Sequence, residues 1–334
     1  MNYQSCCLCP RMCGIDRTQG EAIGHSHPEE TSNQFLYVVK DSCSPQSQPS
    51  QLGYCGCTSV LKAARAALHM WEEPCISGVR GSGAIFFSGC TLGCCFCQNH
   101  QISRGHAGKE LSVRQLADIF LRLQDEGAHN INLVTATQYL PSVLRALDMV
   151  RNRLFLPVVY NCGGYERVET IDALKDYIDI YLPDFKYFSQ KLSASYSGAS
   201  NYPEIAKRAI TAMAEQAGPP VFEEYSGEKG RCMLMKRGLI IRHMVLPGQK
   251  EDSKQILFWI KNNLPQKGYY ISLMSQYTPY FQNKEYPELN RRITSYEYNQ
   301  VVDYAIELGL ADGYMQKKSS AKEEYTPPFD LEGL

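Results

Sequence analysis

Long apolar runs are what this 334-residue chain lacks first: none approaches the roughly 18 consecutive apolar residues of a membrane-spanning helix, so no transmembrane segment is expected. Its opening, Met1-Asn2-Tyr3-Gln4-Ser5-Cys6, lacks a charged n-region followed by an apolar h-region, so no export signal is expected either. An excess of charge is missing too. The formal net charge is -1 and the pI about 6.7, which offers no basic field for nucleic acid. Lys236-Arg237 and Arg291-Arg292 are short basic pairs that read as solvated surface. No internal repeat is evident. Together these absences point to a cytoplasmic protein with no membrane association, and they indicate no nucleic-acid partner.

Cysteine is what the chain has instead, with 14 residues. Without export, clustered thiols read as metal ligands rather than disulfides. Cys90, Cys94 and Cys97 stand at the spacing C-x3-C-x2-C, directly after the apolar run Gly83 to Gly89. Three thiolates hold a 4Fe-4S cluster with one iron left open to an outside ligand, whereas the four-cysteine arrangement only transfers electrons. The rival reading of the spacing is a zinc knuckle. A second group, Cys6, Cys9 and Cys13 with Cys55 as its fourth member, suits either structural zinc or an auxiliary Fe-S cluster. Cys57 is an alternative to Cys55, and Cys7, Cys43 and Cys75 have no evident role.

Residues 1–75 form a Cys-, Pro-, Gln- and Ser-rich module, metal-stapled, with one helix expected at Ser59 to Leu68 and a mobile polar loop at Ser42 to Gln51. Residues 76–316 alternate apolar runs with stretches of helical length. The runs are Ala84 to Phe87, Ile131 to Thr135, Pro157 to Tyr160, Ile178 to Leu182, Leu239 to Leu246 and Tyr269 to Leu273. The helices fall at Val113 to Glu126, Pro141 to Arg153, Val168 to Asp176, Tyr202 to Ala217, Ser253 to Asn262 and Tyr296 to Leu308. Apolar strands alternating with helices mean parallel βαβ units buried on both faces. The expected fold class is α/β, a partial (β/α)6 TIM-like barrel with a small N-terminal Cys-rich metal-binding module. Residues 317–334 are expected to be a polar tail that drapes or frays.

The block Gly81 to Asn99 resembles the signature of radical S-adenosylmethionine (SAM) enzymes of the pyruvate formate-lyase activating enzyme group, and more closely its PflX-type relatives. Cys7-Leu8-Cys9-Pro10-Arg11, His69 to Pro74, Ser77-Gly78, Asn130 to Thr135, Tyr181 to Lys186 and Arg242 to Gly248 fit the same likeness, which runs from about Cys6 to about Gln316. It implies that Cys90, Cys94 and Cys97 hold a 4Fe-4S cluster whose fourth iron is chelated by SAM. An electron then splits the sulfonium, and the 5'-deoxyadenosyl radical takes a hydrogen atom from substrate. It also implies a low-potential electron donor such as a flavodoxin or ferredoxin.

Chemistry in such barrels sits at the C-terminal ends of the strands. The resemblance to the activases carries Asp184 and Lys186 over to polar contacts for SAM, and their place at a strand end favours that role, although an Asp-x-Lys pair is also an ordinary surface ion pair. Arg242 presents a fork matched to the SAM carboxylate. Asn161, Thr135 and Gln276 are further candidates at strand ends, with Thr135 equally an ordinary turn residue. Cys95 reads as structural, Cys162 as a small buried residue, and His243 as facing away from Arg242 into the core. His69, Glu72 and Glu73 either reach the substrate cavity or end a helix at the domain junction. Two departures from the activases stand out. Val134-Thr135-Ala136-Thr137-Gln138 replaces a Gly-Gly-Glu turn, and Gly81-Ser82-Gly83 replaces a stretch that carries arginine. Three functions follow as expectations: a glycyl-radical enzyme activase; a radical SAM enzyme acting on a small molecule or another peptide; and a non-enzymatic Fe-S electron carrier or metal-binding protein. No catalytic side chain is assigned beyond these ligands.

Overall fold

The structure, a computed structural model, describes residues 1–18, 52–280, 282–310, 312–316 and 326–334. The loop expected at Ser42 to Gln51, Cys43 and the first part of the tail lie outside these residues.

The chain enters the fold through β1 (Leu61–His69), α1 (Pro74–Ser77), β2 (Ser82–Phe87), α2 (His100–Ser103) and β3 (Lys109–Leu111). It continues as α3 (Val113–Asp125), β4 (Ile131–Val134), α4 (Leu140–Val150), β5 (Val158–Cys162), α5 (Val168–Asp172), β6 (Ile180–Pro183), α6 (Gln190–Ser197) and α7 (Tyr202–Ala217). It closes with β7 (Val221–Gly227), β8 (Gly230–Met244), α8 (Lys250–Asn263), β9 (Tyr270–Met274), α9 (Ser295–Glu307) and β10 (Gly313–Met315).

In the sheet β2, β4, β5, β6, β8 and β9 are successive parallel neighbours. They are the six apolar runs of the sequence, and the fold is α/β with a partial (β/α)6 TIM-like barrel. Every residue of β2, β4, β5 and β6 is buried, because helices cover the outer face and the barrel interior the other. β1 extends one edge antiparallel to β2, with β3 antiparallel to β1, and β10 lies parallel to β9 at the other edge.

Local sequence accounts for the helix ends. Ser112 with Gln115, and Thr294 with Glu297, form capping boxes that satisfy the first orphan amides of α3 and α9. α7 starts with Pro203 in its first turn and stops at Gly218, whose φ of 66° suits glycine. Leu116, Phe120 and Leu123 turn one face of α3 into the core.

One expectation is corrected. Ser59 to Leu68 is not a helix; Leu61–His69 is the strand β1, paired with β2 through Ala63↔Phe87 and Ala67↔Ala84 and with β3 through Leu61↔Leu111. Its alanines suggested a helix, but pairing on both sides overrides so weak a preference. Smaller differences are an α5 that ends at Asp172, an α6 that no pattern announced, and the hairpin of β7 with a long β8. The described end of the tail docks on β1. Leu331 N donates to Ala64 O (3.0 Å), Ala66 N to Glu332 O (2.9 Å), and Phe329 packs edge-on to Phe86.

Candidate functional site

A cavity of about 550 Å³ opens inside the barrel, lined from the strands and from the loops that follow them. Cys90, Cys94 and Cys97 all border it, on the loop after β2. That loop is held from several directions. Phe96, between two of the thiols, is buried edge-on against Tyr187, Tyr196 and Tyr277, and Cys95 N donates to Tyr196 O at 2.8 Å. Cys95 itself does not line the cavity, so the two adjacent thiols part company. The Leu92 amide donates to Cys90 Sγ (3.3 Å) and the Ser103 hydroxyl to Cys97 Sγ (3.5 Å). Burial pushes the Cys97 thiol up to about 12, with Cys94 and Cys90 adding to the effect. The three sulfurs are thus mutual neighbours that ionise together only if a cation joins them.

Four of the residues singled out for SAM meet in one buried network. Arg242 on β8 donates from Nε to Asp184 Oδ1 (2.9 Å), from one terminal nitrogen to Glu72 Oε2 (3.1 Å) and from the other to Asn161 Oδ1 (2.6 Å). Lys186 Nζ donates to Asp184 Oδ2 at 2.5 Å. The pair is therefore not an exposed one; both side chains are about four-fifths buried (21% and 18% exposed). Despite burial, which works upward, Arg242 and Lys186 hold the Asp184 carboxyl below its ordinary value. Burial works against the Lys186 charge, but Asp184 and the neighbouring Cys94 thiol raise its pKa. Lys186 is the cation that connects this network to the thiols.

Thr135 and Gln276 also line the cavity but stand outside the network. Gln276 accepts from Gln316 Nε2 (3.1 Å), and Thr135 contributes its carbonyl to Gln138. Cys162 is buried at the wall, with its thiol pushed up first by burial. His243 faces the core, between Phe185 O (2.7 Å) and Ser253 Oγ (2.8 Å).

Glu72 and Glu73 both reach the cavity, from the turn that leads into α1. Glu72 Oε1 accepts from Asn132 and Asn161, each at 3.1 Å. Burial raises its pKa and Arg242 opposes the rise. Asn132 and Gln138 are participants that position arguments did not single out. Gln138 Nε2 donates to Ser88 O (2.9 Å) and Gly89 O (3.1 Å), which fixes the backbone immediately before Cys90.

Cys6, Cys55 and Cys57 lie around Arg17, a buried guanidinium bound to the carbonyls of Cys57 (2.9 Å), Gln138 (2.8 Å) and Thr58 (2.6 Å) and to Cys6 Sγ (3.5 Å). Cys13 and Cys55 both flank Gly53. Burial raises the Cys9 thiol to about 12. This segment is clamped onto the loop of Cys90. Arg11 donates to Thr91 O (3.0 Å) and Leu92 O (3.3 Å) and lies over the Tyr54 ring, and Arg104 donates to Tyr54 O (3.0 Å). Among the described residues, no three His, Cys, Asp or Glu side chains converge on a point where a single metal ion would sit. The described cysteines are free thiols, and no described helix is long and apolar enough to cross a membrane.

Comparison with known proteins finds that the sequence model described as the radical SAM superfamily matches residues 84–260. An uncharacterized protein of Methanocaldococcus jannaschii is 30% identical over 253 residues, covering 73% of this chain and 66% of that protein, just under two thirds of its length. Crystal structures of Streptococcus suis SuiB, one bound to S-adenosylmethionine and one to precursor peptide SuiA, are similar at 12% identity, with TM-scores of 0.46 and 0.43. Each similarity covers 68% of this chain and just under half of SuiB, 48% and 46%.

Proposed function

The chain belongs to the radical SAM superfamily, and from that premise we propose that it is an enzyme in which Cys90, Cys94 and Cys97 ligate a 4Fe-4S cluster at the mouth of the barrel cavity. The observation that carries the proposal is the meeting, around one cavity, of three thiols after the first parallel strand and a charged network on the strands that follow. Thiolates hold a cluster around its edges, and three sulfurs that share a cavity rim suit that arrangement.

Bound there, the cluster and SAM supply reductive cleavage of the sulfonium and a 5'-deoxyadenosyl radical that abstracts hydrogen from substrate. The protein's part is to bind, orient and seclude. The Leu92 amide and the Ser103 hydroxyl donate to ligand sulfurs, which favours the thiolate forms. Lys186 sets a positive charge beside Cys94 and is the side chain best positioned for the SAM carboxylate. Arg242, with its fork already shared among Asp184, Glu72 and Asn161, orients that assembly rather than meeting SAM alone. Asn161, Thr135 and Gln276 offer neutral polar groups along the wall.

At the N-terminus we assign Cys6, Cys9, Cys13 and Cys55 to a second metal, zinc or another Fe-S cluster, with Arg17 as its buried counter-charge. A cavity of about 550 Å³ that must also admit SAM favours a small molecule or one protruding group of a peptide as substrate. The glycyl-radical activase remains the narrower form of this reading. A low-potential donor such as a flavodoxin or ferredoxin supplies the electron, and the free thiols suit a reducing, cytoplasmic setting.

Anaerobic reconstitution with iron and sulfide, metal counting, and incubation with dithionite and SAM test the proposal. About four irons per chain and 5'-deoxyadenosine are expected, with zinc or about four further irons at the N-terminal site. An intact, reducible cluster that yields no 5'-deoxyadenosine contradicts the enzyme reading and favours electron transfer.

A further inference from the structure

The charges around the cavity do not balance. Glu72, Glu73 and Asp184 face Lys186 and Arg242. His69, the histidine at the wall, adds no charge near neutral pH because burial pushes its pKa down to about 4. Asp184 is taken by Lys186 and Arg242, and Glu72 by Arg242, Asn132 and Asn161. Glu73 is left over. It is 7% exposed, and its Oε2 has no hydrogen-bond partner. A buried carboxyl with an unsatisfied oxygen is costly unless it keeps a proton or a further cation reaches it.

The neighbouring residues suit the rest of such a ligand. Trp71 and Met70 border the cavity beside the acid pair and remain 46% and 45% exposed, offering an aromatic face and a polarizable apolar one.

We infer that the Glu72–Glu73 end of the cavity binds the substrate through a primary ammonium group, with Glu73 Oε2 as the charge partner, Glu72 as a supporting acceptor, and Trp71 and Met70 against the alkyl stem. The inference rests on the cavity being the substrate chamber of the radical SAM reading and adds the chemical class that chamber selects. A free alkylamine and a lysyl side chain of a peptide share this chemistry.

The test is a binding titration of the full, cluster-loaded chain, without reductant, read by tryptophan fluorescence. Trp71 lines the cavity, and Trp259, the remaining tryptophan, packs against Phe185 outside it. n-Butylammonium, butyrate and butanol are compared at one pH, beside N-acetyl-Gly-Lys-Gly-amide. Binding of n-butylammonium at least about tenfold tighter than butyrate and butanol is expected, with a loss of about tenfold or more in Glu73→Gln. The peptide binding as tightly as the amine identifies a lysyl side chain as the source; amine binding with the peptide shut out identifies a free amine. Butyrate or butanol binding as tightly as the amine, or no binding by amine or peptide, overturns the inference. So does an unchanged amine affinity in Glu73→Gln. Should that variant not fold, the charge series on the natural chain still decides the matter. Because no SAM turnover is read, failure here leaves 5'-deoxyadenosine formation by the same protein to be judged separately.

Discussion

Arg242 joins three strands of the barrel to the segment before it, since its guanidinium touches Asp184, Asn161 and Glu72 within one buried network. Replacing it by methionine keeps comparable bulk but leaves Glu72 without its cation and Asp184 with Lys186 alone. We expect Arg242→Met to cost about 3–5 kcal/mol in anaerobic denaturant unfolding, as for other broken buried ion pairs; a cost within about 0.5 kcal/mol contradicts the network. His243 makes a pH prediction. Burial holds its folded pKa at about 4, below the ordinary histidine value, so the unfolded chain binds the proton first as pH falls. Its contribution is present above about pH 6.5 and is lost as pH drops toward 4, up to about 3 kcal/mol. Stability measured across that window falls less steeply in His243→Asn than in the natural chain. At this scale Asp184, Lys186 and Asn161 were legible because they follow apolar runs. The roles of Glu72, Asn132 and Gln138 were not. Glu72 comes from a turn outside the parallel strands, and Asn132 and Gln138 act through hydrogen bonds that no spacing announces.

Among the elements, the loop that carries the thiols depends on how closely the backbone before it approaches its neighbours. Gly89 has φ 81°, and a Cβ there would stand 2.0 Å from Cys57 Sγ and 2.8 Å from Cys55 O. Gly89→Ala therefore displaces either the N-terminal thiols or the loop of Cys90. The expected outcome is a loss of about 1–3 kcal/mol in unfolding experiments and a clear drop in iron bound per chain; iron content equal to the natural protein contradicts this packing. The strands and most helices were legible because a barrel buries both faces of its strands, and because signals such as the capping boxes at Ser112 and Thr294 are local. β1 was not, since an alanine-rich segment has no strong preference of its own and its partners, β2 and β3, are set by tertiary structure. The β7–β8 hairpin escaped for a similar reason: its outer half is exposed and carries no apolar run.

As a whole the molecule is a barrel with both chain termini brought to its sheet or its thiol loop. Arg11 and Tyr54 fasten the N-terminal segment to the loop of Cys90, and residues 330–332 lie along β1, where Arg65 pairs with Asp330 and Glu332. The superfamily was legible in the block that carries C-x3-C-x2-C after a strand, because such a signature is local in sequence. The identity of the substrate was not, because the cavity wall is assembled from residues as far apart as Glu72 and Gln316. The most direct test of the central claim compares two adjacent thiols. Cys94→Ala and Cys95→Ala, each reconstituted anaerobically with iron and sulfide, are given dithionite and SAM, and 5'-deoxyadenosine is quantified. Cys94 borders the cavity and Cys95 does not. The account predicts that Cys94→Ala yields none while Cys95→Ala keeps activity within a few-fold of the natural chain. Equal product from the two variants, or loss in Cys95→Ala alone, contradicts it.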